Sequence, residues 1–317
     1  MADILISENI RGAAVDEMSQ RFTVTFEPGL WKNPEELRRR IGEYRAIIVR
    51  NQTEVNAALL EAAGRLVVVG RAGVGLNNVD VASATARKIL VTSTPDQNAI
   101  SVAELAFGLI LALAHKIPAA SYDTCAGNWN RMQFLGTELY GKTLGIVGAG
   151  RTGYLTARRA QAFGMKVVAY DPFVSRDNIL LSELSAELMP LDELLAVADV
   201  VSCHLPATQK TRGLLNAERL KLMKPSAILV NTSRGEVLVE EDLVAALKAG
   251  TIAGAALDVR ASEPPKAGEL EKLPNVILTP HIAALTHEAQ DRVTRAICED
   301  VMRVLDGKSA LNAVNRV

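Results

Sequence analysis

The sequence predicts an α/β protein made of two doubly wound parallel-sheet domains, and three observations predict it. Short β-rich runs alternate with helical patterns along the chain. This alternation starts afresh at residue 144, and a glycine-rich turn with the sequence GAGRTG follows closely, at 148–153. Because strands that alternate with helices form parallel sheets with crossover helices, each half of the chain is expected to form one such sheet.

The predicted elements begin at residue 3. In the first half, strands are expected at 3–7, 46–49, 66–69 and 90–92, with helical segments such as 34–44 and 54–63 between them. In the second half, strands are expected from 144 onward and at 167–170, 200–204, 227–231, 254–258 and 276–278. The periodic segment 101–116 predicts a helix that bridges the halves, with Pro118 limiting it. A last helix at about 286–307 is expected to return the chain to the first domain.

Length and composition restrict the classes of function. A chain of 317 residues is long enough for two domains, and a net charge of −1 argues against a general nucleic-acid binder. The three cysteines, Cys125, Cys203 and Cys298, are far apart and form no C-x-x-C pair, so neither a disulfide framework nor a metal site is indicated. A reducing cytoplasm fits best. No signal peptide is evident, and the longest apolar run, 105–114, is too short to span a bilayer, so no membrane partner is expected.

The glycine-rich turn has the composition that binds a dinucleotide. Gly148 allows a sharp turn, Gly150 lets the backbone approach phosphates, and Gly153 lets the following helix pack closely on the strand. The helix N-terminus then offers free N–H groups to the pyrophosphate. Such a pattern is weak alone, but here an apolar strand precedes it and a helical pattern follows.

An acidic residue at the next strand end favours NAD. Asp171 follows the strand at 167–170, about 20 residues beyond the glycines, where a carboxylate accepts both ribose hydroxyls and repels a 2′-phosphate. The competing interpretation is that Asp171 only opens a turn with Pro172. NADP remains an alternative because Arg176 lies nearby in the sequence.

Three later strand ends carry residues suited to the reduction of a 2-oxo acid. Arg234, Glu263 and His281 all follow predicted strands, and ligands of open α/β sheets bind at that edge. An arginine can hold the carboxylate and polarise the carbonyl group, and a histidine can exchange the proton. A carboxylate beside the histidine favours the imidazolium. Taken singly, each residue has an ordinary explanation: a surface arginine, an acid before a proline turn, a buried and satisfied histidine.

Together with several further motifs in the same order, these residues resemble the D-isomer-specific 2-hydroxyacid dehydrogenases, and the phosphoglycerate dehydrogenase branch most. The similarity covers nearly all of the chain. The motifs are VR at 49–50, VGRAGVG at 69–75, NVD at 78–80, SVAEL at 101–105, GTEL at 136–139, GKTLG at 141–145, NTSRG at 231–235, AALDV at 255–259, EP at 263–264 and PH at 280–281.

The resemblance implies a Rossmann NAD-binding domain, 95–284, inserted into a flavodoxin-like substrate-binding domain formed by 1–94 and 285–317. It implies that His281 is the acid/base, Glu263 its partner and Arg234 the substrate clamp. Arg151 and Thr152 would offer N–H groups to the pyrophosphate, residues 204–206 would flank the adenine side, and Asp258 would approach the nicotinamide amide. The implied cofactor residues are Gly148, Gly150, Arg151, Thr152, Gly153, Asp171, His204, Leu205, Pro206, Ser233 and Asp258. The family analogy also suggests a homodimer through the region 101–145.

The chain departs from the family pattern at two places. The segment Leu76-Asn77-Asn78 stands where the family usually has an aspartate, and Arg260 stands where it usually has an aromatic residue. Arg260 could adjust the electrostatics near Glu263, but we expect it to face solvent, because exposed arginines are the commoner case.

Arginines in the first half suggest a substrate with a second negative charge. Arg50 and Arg71 lie at predicted strand ends where the phosphoglycerate branch holds a second anion, and the turn Gly73-Val74-Gly75 suits a substrate carboxylate. Arg131 matches a basic position of the same branch. The alternatives are that both strand-end arginines pair with surface acids and that the glycine turn binds no ligand.

The expected function is therefore that of an NAD-dependent enzyme that interconverts a D-2-hydroxy acid and its 2-oxo acid. The expected partner is a small dianionic acid such as 3-phosphoglycerate or phosphohydroxypyruvate. Because the sequence stops at Val317, a short form without a C-terminal regulatory domain is expected. Sulfolactate dehydrogenase and glyoxylate/hydroxypyruvate reductase are alternatives within the class. An NAD-sensing corepressor is an alternative outside it, and formate dehydrogenase matches less well because it has Gln in place of Glu263.

Overall fold

The structure is a computed structural model that describes residues 2–175 and 182–317. The chain divides into two compact units, Met1–Asn98 with Thr286–Val317 and Ala99–Leu285. Arg176, on which the NADP alternative rests, lies outside the described residues.

The first unit contains a parallel sheet of five strands. They are β1 (Ile4–Ile6), β2 (Val24–Phe26), β3 (Ala46–Val49), β4 (Val68–Arg71) and β5 (Leu90–Thr92). Their order is β2-β1-β3-β4-β5, and every neighbouring pair is parallel. This 2-1-3-4-5 order is that of the flavodoxin-like sheets, which the family resemblance implies.

Helices cover both faces of this sheet. They are α1 (Ala13–Ser19), α2 (Pro34–Arg40), α3 (Ala57–Ala62), α4 (Val81–Ala86) and the C-terminal helix (His287–Leu305), with short 3₁₀ turns at Leu30–Lys32 and Ile41–Glu43. Asn33, Asn56, Asp80 and Thr286 begin four of these helices, and each side chain accepts a hydrogen bond from the backbone N–H three residues on. One apolar core joins the sheet to α2, α3 and α4, and another joins it to α1 and the C-terminal helix. The C-terminal helix lies close on β4, because a Cβ at Gly70 would come within 2.8 Å of Val301 Cγ2.

The second unit contains a parallel sheet of seven strands. They are β6 (Thr143–Val147), β7 (Lys166–Tyr170), β8 (Glu187–Leu188), β9 (Val200–Cys203), β10 (Ile228–Asn231), β11 (Gly254–Leu257) and β12 (Val276–Leu278). Read from β8, the order is β8-β7-β6-β9-β10-β11-β12, with all pairs parallel. This is the Rossmann order, and its topological switch point lies between β6 and β9.

The helices of the second unit also pack on both faces. They are α5 (Ala99–Ala114), α6 (Ile117–Cys125), α7 (Arg151–Ala162), α8 (Leu191–Val197), α9 (Ala217–Leu220) and α10 (Glu240–Lys248), with 3₁₀ turns at Arg131–Phe134, Gly235–Val237 and Leu270–Lys272. Half of α5 is buried, whereas α6 buries no residue within the unit. Among the described residues, no single helix has the length and apolarity to cross a membrane; α5 and α6, bent by 63°, pass that test only as a pair.

The predicted fold class is confirmed, with three local differences. The sequence analysis missed β2 and β8, which are edge strands. The helix predicted at 101–116 is observed as α5 and is followed at once by α6. Lys116 breaks the two apart with a left-handed backbone (φ 53°), and Pro118 lies in the first turn of α6.

Candidate active site

His281 and Glu263 form a hydrogen-bonded pair after β12 and β11. The distance between His281 Nδ1 and Glu263 Oε2 is 2.6 Å. The hydrogen bond from Glu263 raises the pKa of His281 and outweighs burial, which lowers it. Burial raises the pKa of Glu263, but the hydrogen bond with His281 and the N–H of Arg260 leave that pKa below its usual range. Because Nδ1 is held by a carboxylate, Nε2 is the ring nitrogen left to exchange a proton with a ligand.

Asp258 fixes the loop that carries His281. This buried carboxylate accepts hydrogen bonds from Thr279 Oγ1 at 2.6 Å and from the backbone N–H groups of Ile282 and Ala283, both at 2.9 Å. His281 lies between these anchors with φ 55°, a left-handed conformation that few residues other than glycine adopt. The loop therefore holds His281 in a backbone conformation that this residue would rarely adopt without these hydrogen bonds.

Asn231 fixes the loop that carries Arg234 after β10. Its fully buried amide donates to the carbonyl oxygen of Arg234 at 2.9 Å and accepts from the N–H and hydroxyl of Ser233 at 3.0 and 2.8 Å. Arg234 Nη1 donates to the carbonyl oxygen of Ser233 at 2.7 Å. Arg234, Glu263 and His281 follow β10, β11 and β12, which are neighbours in the sheet, and the charge of Arg234 lowers the pKa of both His281 and Glu263. The second unit therefore brings Arg234, Glu263 and His281 together.

The glycine-rich turn has the shape that a pyrophosphate needs. Gly148 has φ 105°, and a Cβ there would lie 2.8 Å from the backbone of His204. A Cβ at Gly153 would overlap the carbonyl oxygen of Gly148 and lie 2.9 Å from Ile146 Cγ2, whereas one at Gly150 would meet open space. Helix α7 begins directly afterwards, and no side chain of the described residues caps it, so the N–H groups of its first turn are available to an anion.

Polar groups surround this turn on both sides. Asp171 accepts hydrogen bonds from the N–H groups of Ala149 and Phe173, both at 2.9 Å, which holds the carboxylate beside the turn. His204 shares a 2.9 Å hydrogen bond between Nε2 and Ser202 Oγ, and burial lowers its pKa to about 4, so the ring is neutral. Its Nδ1 is buried and has no hydrogen-bond partner in the described part of the chain. The residues present therefore fit a dinucleotide.

Known proteins are similar to this chain over nearly its whole length. Residues 107–283 match the family described as D-isomer specific 2-hydroxyacid dehydrogenase, NAD binding domain. The chain belongs to this family. It is 44% identical to D-3-phosphoglycerate dehydrogenase of Archaeoglobus fulgidus over 314 residues, which are 98% of this chain and 59% of that protein. The chain thus spans 52–60% of the length of these curated relatives.

Solved structures of the family superimpose on the whole chain. TT0316 protein from Thermus thermophilus is 36% identical with a TM-score of 0.92, covering 99% of this chain and 100% of that one. D-Lactate dehydrogenase from Aquifex aeolicus, complexed with NAD and lactic acid, is 30% identical with a TM-score of 0.86, covering 98% of both chains. As in other members of the D-isomer specific 2-hydroxyacid dehydrogenase family, the second unit is an NAD-binding domain.

The remaining residues that are expected to contact the cofactor lie at the carboxyl ends of the strands. Arg151 and Thr152 form the first turn of α7, and Leu205 and Pro206 follow β9. The hydroxyl of Ser233 donates a hydrogen bond to Asn231, and both carboxylate oxygens of Asp258 accept hydrogen bonds from the loop at 279–283. Their contact with NAD stays a prediction.

The first unit places the expected substrate residues at the ends of β3 and β4. A Cβ at Gly73, where φ is 142°, would overlap the guanidinium of Arg71, so the glycine lets that side chain fold across the turn. Val74 is 43% exposed, and Gly75 is partly buried. The half-buried Arg50 side chain has no hydrogen bond or ion pair to residues 2–175 or 182–317, and burial lowers its pKa despite the nearby charge of Glu8. Arg131 is exposed in its 3₁₀ turn.

One expectation is wrong. Arg260 does not face solvent: its side chain is 11% exposed and pairs with Glu240 and Glu271. The sequence analysis also missed Asn231 and Thr279 as loop-holding residues. Their position at strand ends was visible, but nothing in the sequence separates a residue that holds a loop from one that holds a ligand.

Proposed function

We propose that this protein is an NAD-dependent dehydrogenase that interconverts a D-2-hydroxy acid and its 2-oxo acid. The observation that carries the proposal is the His281–Glu263 hydrogen bond within the field of Arg234. When bound, NAD supplies the hydride acceptor, or NADH the donor, for C2 of the substrate. The protein's own residues supply the proton and hold the acid.

The proposed roles follow from the charges of the three side chains. His281, kept protonated by Glu263, donates its Nε2 proton to the carbonyl oxygen during reduction, and the neutral ring accepts it during oxidation. Arg234 holds the substrate carboxylate and stabilises the developing negative charge on the oxygen. Glu263 keeps the ring orientation and the tautomer through Nδ1.

A dianionic substrate such as 3-phosphoglycerate is the proposed ligand. Relatives that are 42–44% identical are named D-3-phosphoglycerate dehydrogenase. The half-buried cation of Arg50 also supports a second anion. In this proposal, 1–94 with 285–317 bind the substrate and 95–284 bind NAD.

A homodimer in the cytoplasm completes the proposal. Large apolar side chains that a single copy leaves exposed cluster in the proposed interface, 101–145; they include Tyr122 (80% exposed), Trp129 (78%), Met132 (82%) and Leu135 (72%). Three free cysteines support a reducing compartment. Sedimentation of Trp129→Glu against the parent protein tests the interface, and an unchanged mass would contradict it.

The central experiment is an NADH oxidation panel with phosphohydroxypyruvate, sulfopyruvate, oxaloacetate, hydroxypyruvate and glyoxylate. We expect turnover with a dianion and a fall of several orders of magnitude in His281→Ala, while NADH binding changes little. Best activity with hydroxypyruvate or glyoxylate would contradict the dianion. An absence of turnover with every acid would favour an NAD-sensing protein instead.

A further inference from the structure

Arg260 lies in a partly buried cluster of ion pairs shortly after β11. Its Nε is 3.1 Å from both carboxylate oxygens of Glu240, and its Nη2 is 2.8 Å from Glu240 Oε2. Its Nη1 donates to Glu271 Oε1 at 2.6 Å. The side chains of Arg260, Glu240 and Glu271 are 11%, 19% and 29% exposed, and hydrogen bonds between charged groups are stronger than those between neutral ones.

The same carboxylates also bind the backbone around Arg260. Glu240 Oε1 accepts the N–H of Ala261 at 2.7 Å, and Glu271 Oε2 accepts the N–H of Gly268 at 2.8 Å. The segment 260–271 is therefore tied at both ends to one charged cluster. Glu263 lies within this segment.

The backbone of Arg260 reaches the catalytic pair itself. Its N–H donates to Glu263 Oε1 at 3.0 Å, while Glu263 Oε2 faces His281 Nδ1 at 2.6 Å. Because a fixed N–H group holds one oxygen of this carboxylate, the direction of the other oxygen is restricted as well. The position of the Arg260 backbone thus determines where Glu263 Oε2 lies relative to His281 Nδ1.

We propose that Arg260 is a positioning residue for the His281–Glu263 pair: its guanidinium, held by Glu240 and Glu271, fixes the 260–271 segment so that Glu263 meets His281. This inference rests on the proposed function for its catalytic consequence. In this chain the ion pairs of Arg260 act as a clamp on the segment, and the clamp acts through the backbone without contacting the substrate.

The clamp stays charged over the range in which His281 titrates. Hydrogen bonding to Arg260 lowers the pKa of Glu271 to about 2. The pKa of Glu240 is also lowered, since its bonds to Arg260 outweigh burial. Within this unit, the charged groups that act on His281 are Glu263, Asp258 and Arg234. A change of pH near neutrality therefore leaves the clamp intact and reports on His281.

The test compares Arg260→Met with Arg260→Lys. Met has a similar length but no charge, whereas Lys keeps the charge and one donor group. Because Met leaves two carboxylates unpaired and can impair folding, the double variant Glu240→Gln/Arg260→Met removes one of them. Arg219→Met is the matched control: Arg219 also joins a carboxylate, Asp192 at 3.0 Å, to a backbone carbonyl, that of Leu214 at 2.9 Å, within the same unit.

The first readout needs no cofactor. The protein has four histidines, so an NMR titration of their ring protons can follow His281 in the protein alone. In Arg260→Met and in the double variant, we expect its pKa to fall by about half a unit or more, and in Arg260→Lys by less. Arg219→Met should leave the pKa of His281 unchanged. An unchanged titration of His281 in the folded Met variant or the folded double variant would overturn the inference, whatever the activity.

The second readout is turnover with the best acid of the panel. We expect kcat of Arg260→Met to fall about tenfold while KM for NADH stays within about twofold, because orientation rather than cofactor binding is lost. In a Glu263→Gln background, Arg260→Met should add less than about a twofold loss. A full tenfold loss in that background would show that Arg260 acts elsewhere. If the parent protein reduces no acid but His281 shifts as expected, the proposed function fails and the positioning role remains.

Discussion

Glu8 is expected to hold the loop that carries Arg50. This carboxylate is 2% exposed at the end of β1. Its Oε1 accepts the backbone N–H groups of Arg50 at 2.7 Å and Thr53 at 2.9 Å, and its Oε2 accepts those of Asn51 at 3.3 Å and Gln52 at 3.1 Å. One side chain therefore satisfies four consecutive N–H groups that no strand or helix pairs.

Glu8→Gln should loosen this loop by a predictable amount. The amide keeps one acceptor oxygen but turns an NH₂ group toward two N–H donors, and it removes the negative charge. Leaving a buried donor unsatisfied costs about 1 to 3 kcal/mol. Asn51 and Gln52 are exposed residues whose N–H groups water can reach, so the lower part of that range applies to each. We expect a loss of roughly 2 to 3 kcal/mol, which is a factor of about 30 to 150 in local opening.

Amide hydrogen exchange measures this opening directly. In Glu8→Gln, residues 50–53 should exchange about 30- to 150-fold faster under conditions where exchange reports the opening equilibrium. The matched control is Asp300→Asn: Asp300 is also buried in the first unit and accepts the N–H groups of Leu311 and Asn312 at 2.6 and 3.1 Å. It should leave residues 50–53 unchanged. Exchange there within about threefold of the parent in Glu8→Gln would refute the reasoning.

Three further predictions concern the second unit. Glu263→Gln removes the group that raises the pKa of His281, so the imidazolium is lost at a lower pH. The pH above which the reduction rate falls should therefore decrease, and an unchanged pH profile would contradict the pairing. Gly153→Ala places a methyl group against the carbonyl oxygen of Gly148, and thermal denaturation should show a loss of about 1 to 3 kcal/mol and no stabilisation by NAD. Asp171→Ala should weaken NAD binding about 10- to 100-fold in calorimetry, since hydrogen bonds to a charged acceptor contribute about 1.5 to 3 kcal/mol. An unchanged Kd would contradict the prediction that Asp171 binds the ribose.

Periodicity and glycine chemistry were sufficient to predict most of the fold. Nearly every buried strand reads as a short apolar run. Because the carboxyl ends of parallel strands meet at one edge of the sheet, the sequence alone placed Arg234 and His281 at the same edge. The missed strands are at the edges. β2 is only half-buried along its three residues and β8 has two residues, so neither leaves a run long enough to recognise.

The misjudged position of Arg260 has a different cause. Its partners, Glu240 and Glu271, lie 20 and 11 residues away in the sequence, on a helix and a 3₁₀ turn that only the folded unit brings together. A frequency argument treats each arginine alone and so favours exposure. Burial of a charge is decided by the whole set of partners, and that set is a property of the tertiary structure.

Asp258 and Asn231 show why roles at a strand edge resist prediction even when the positions are right. Asn231 is the last residue of β10 and Asp258 directly follows β11; both are buried, and each binds a neighbouring loop through its polar atoms. A ligand at this edge and a loop at this edge demand the same groups, because both present unpaired N–H and carbonyl groups to the carboxyl ends of the strands. For Asp258 the three bonds to residues 279–283 hold His281 at φ 55°, so its removal would disturb the histidine before it affected any cofactor. Amide hydrogen exchange of residues 279–283 in Asp258→Asn, without NAD, separates the two roles: faster exchange there indicates loop support, and unchanged exchange leaves the nicotinamide as the remaining partner.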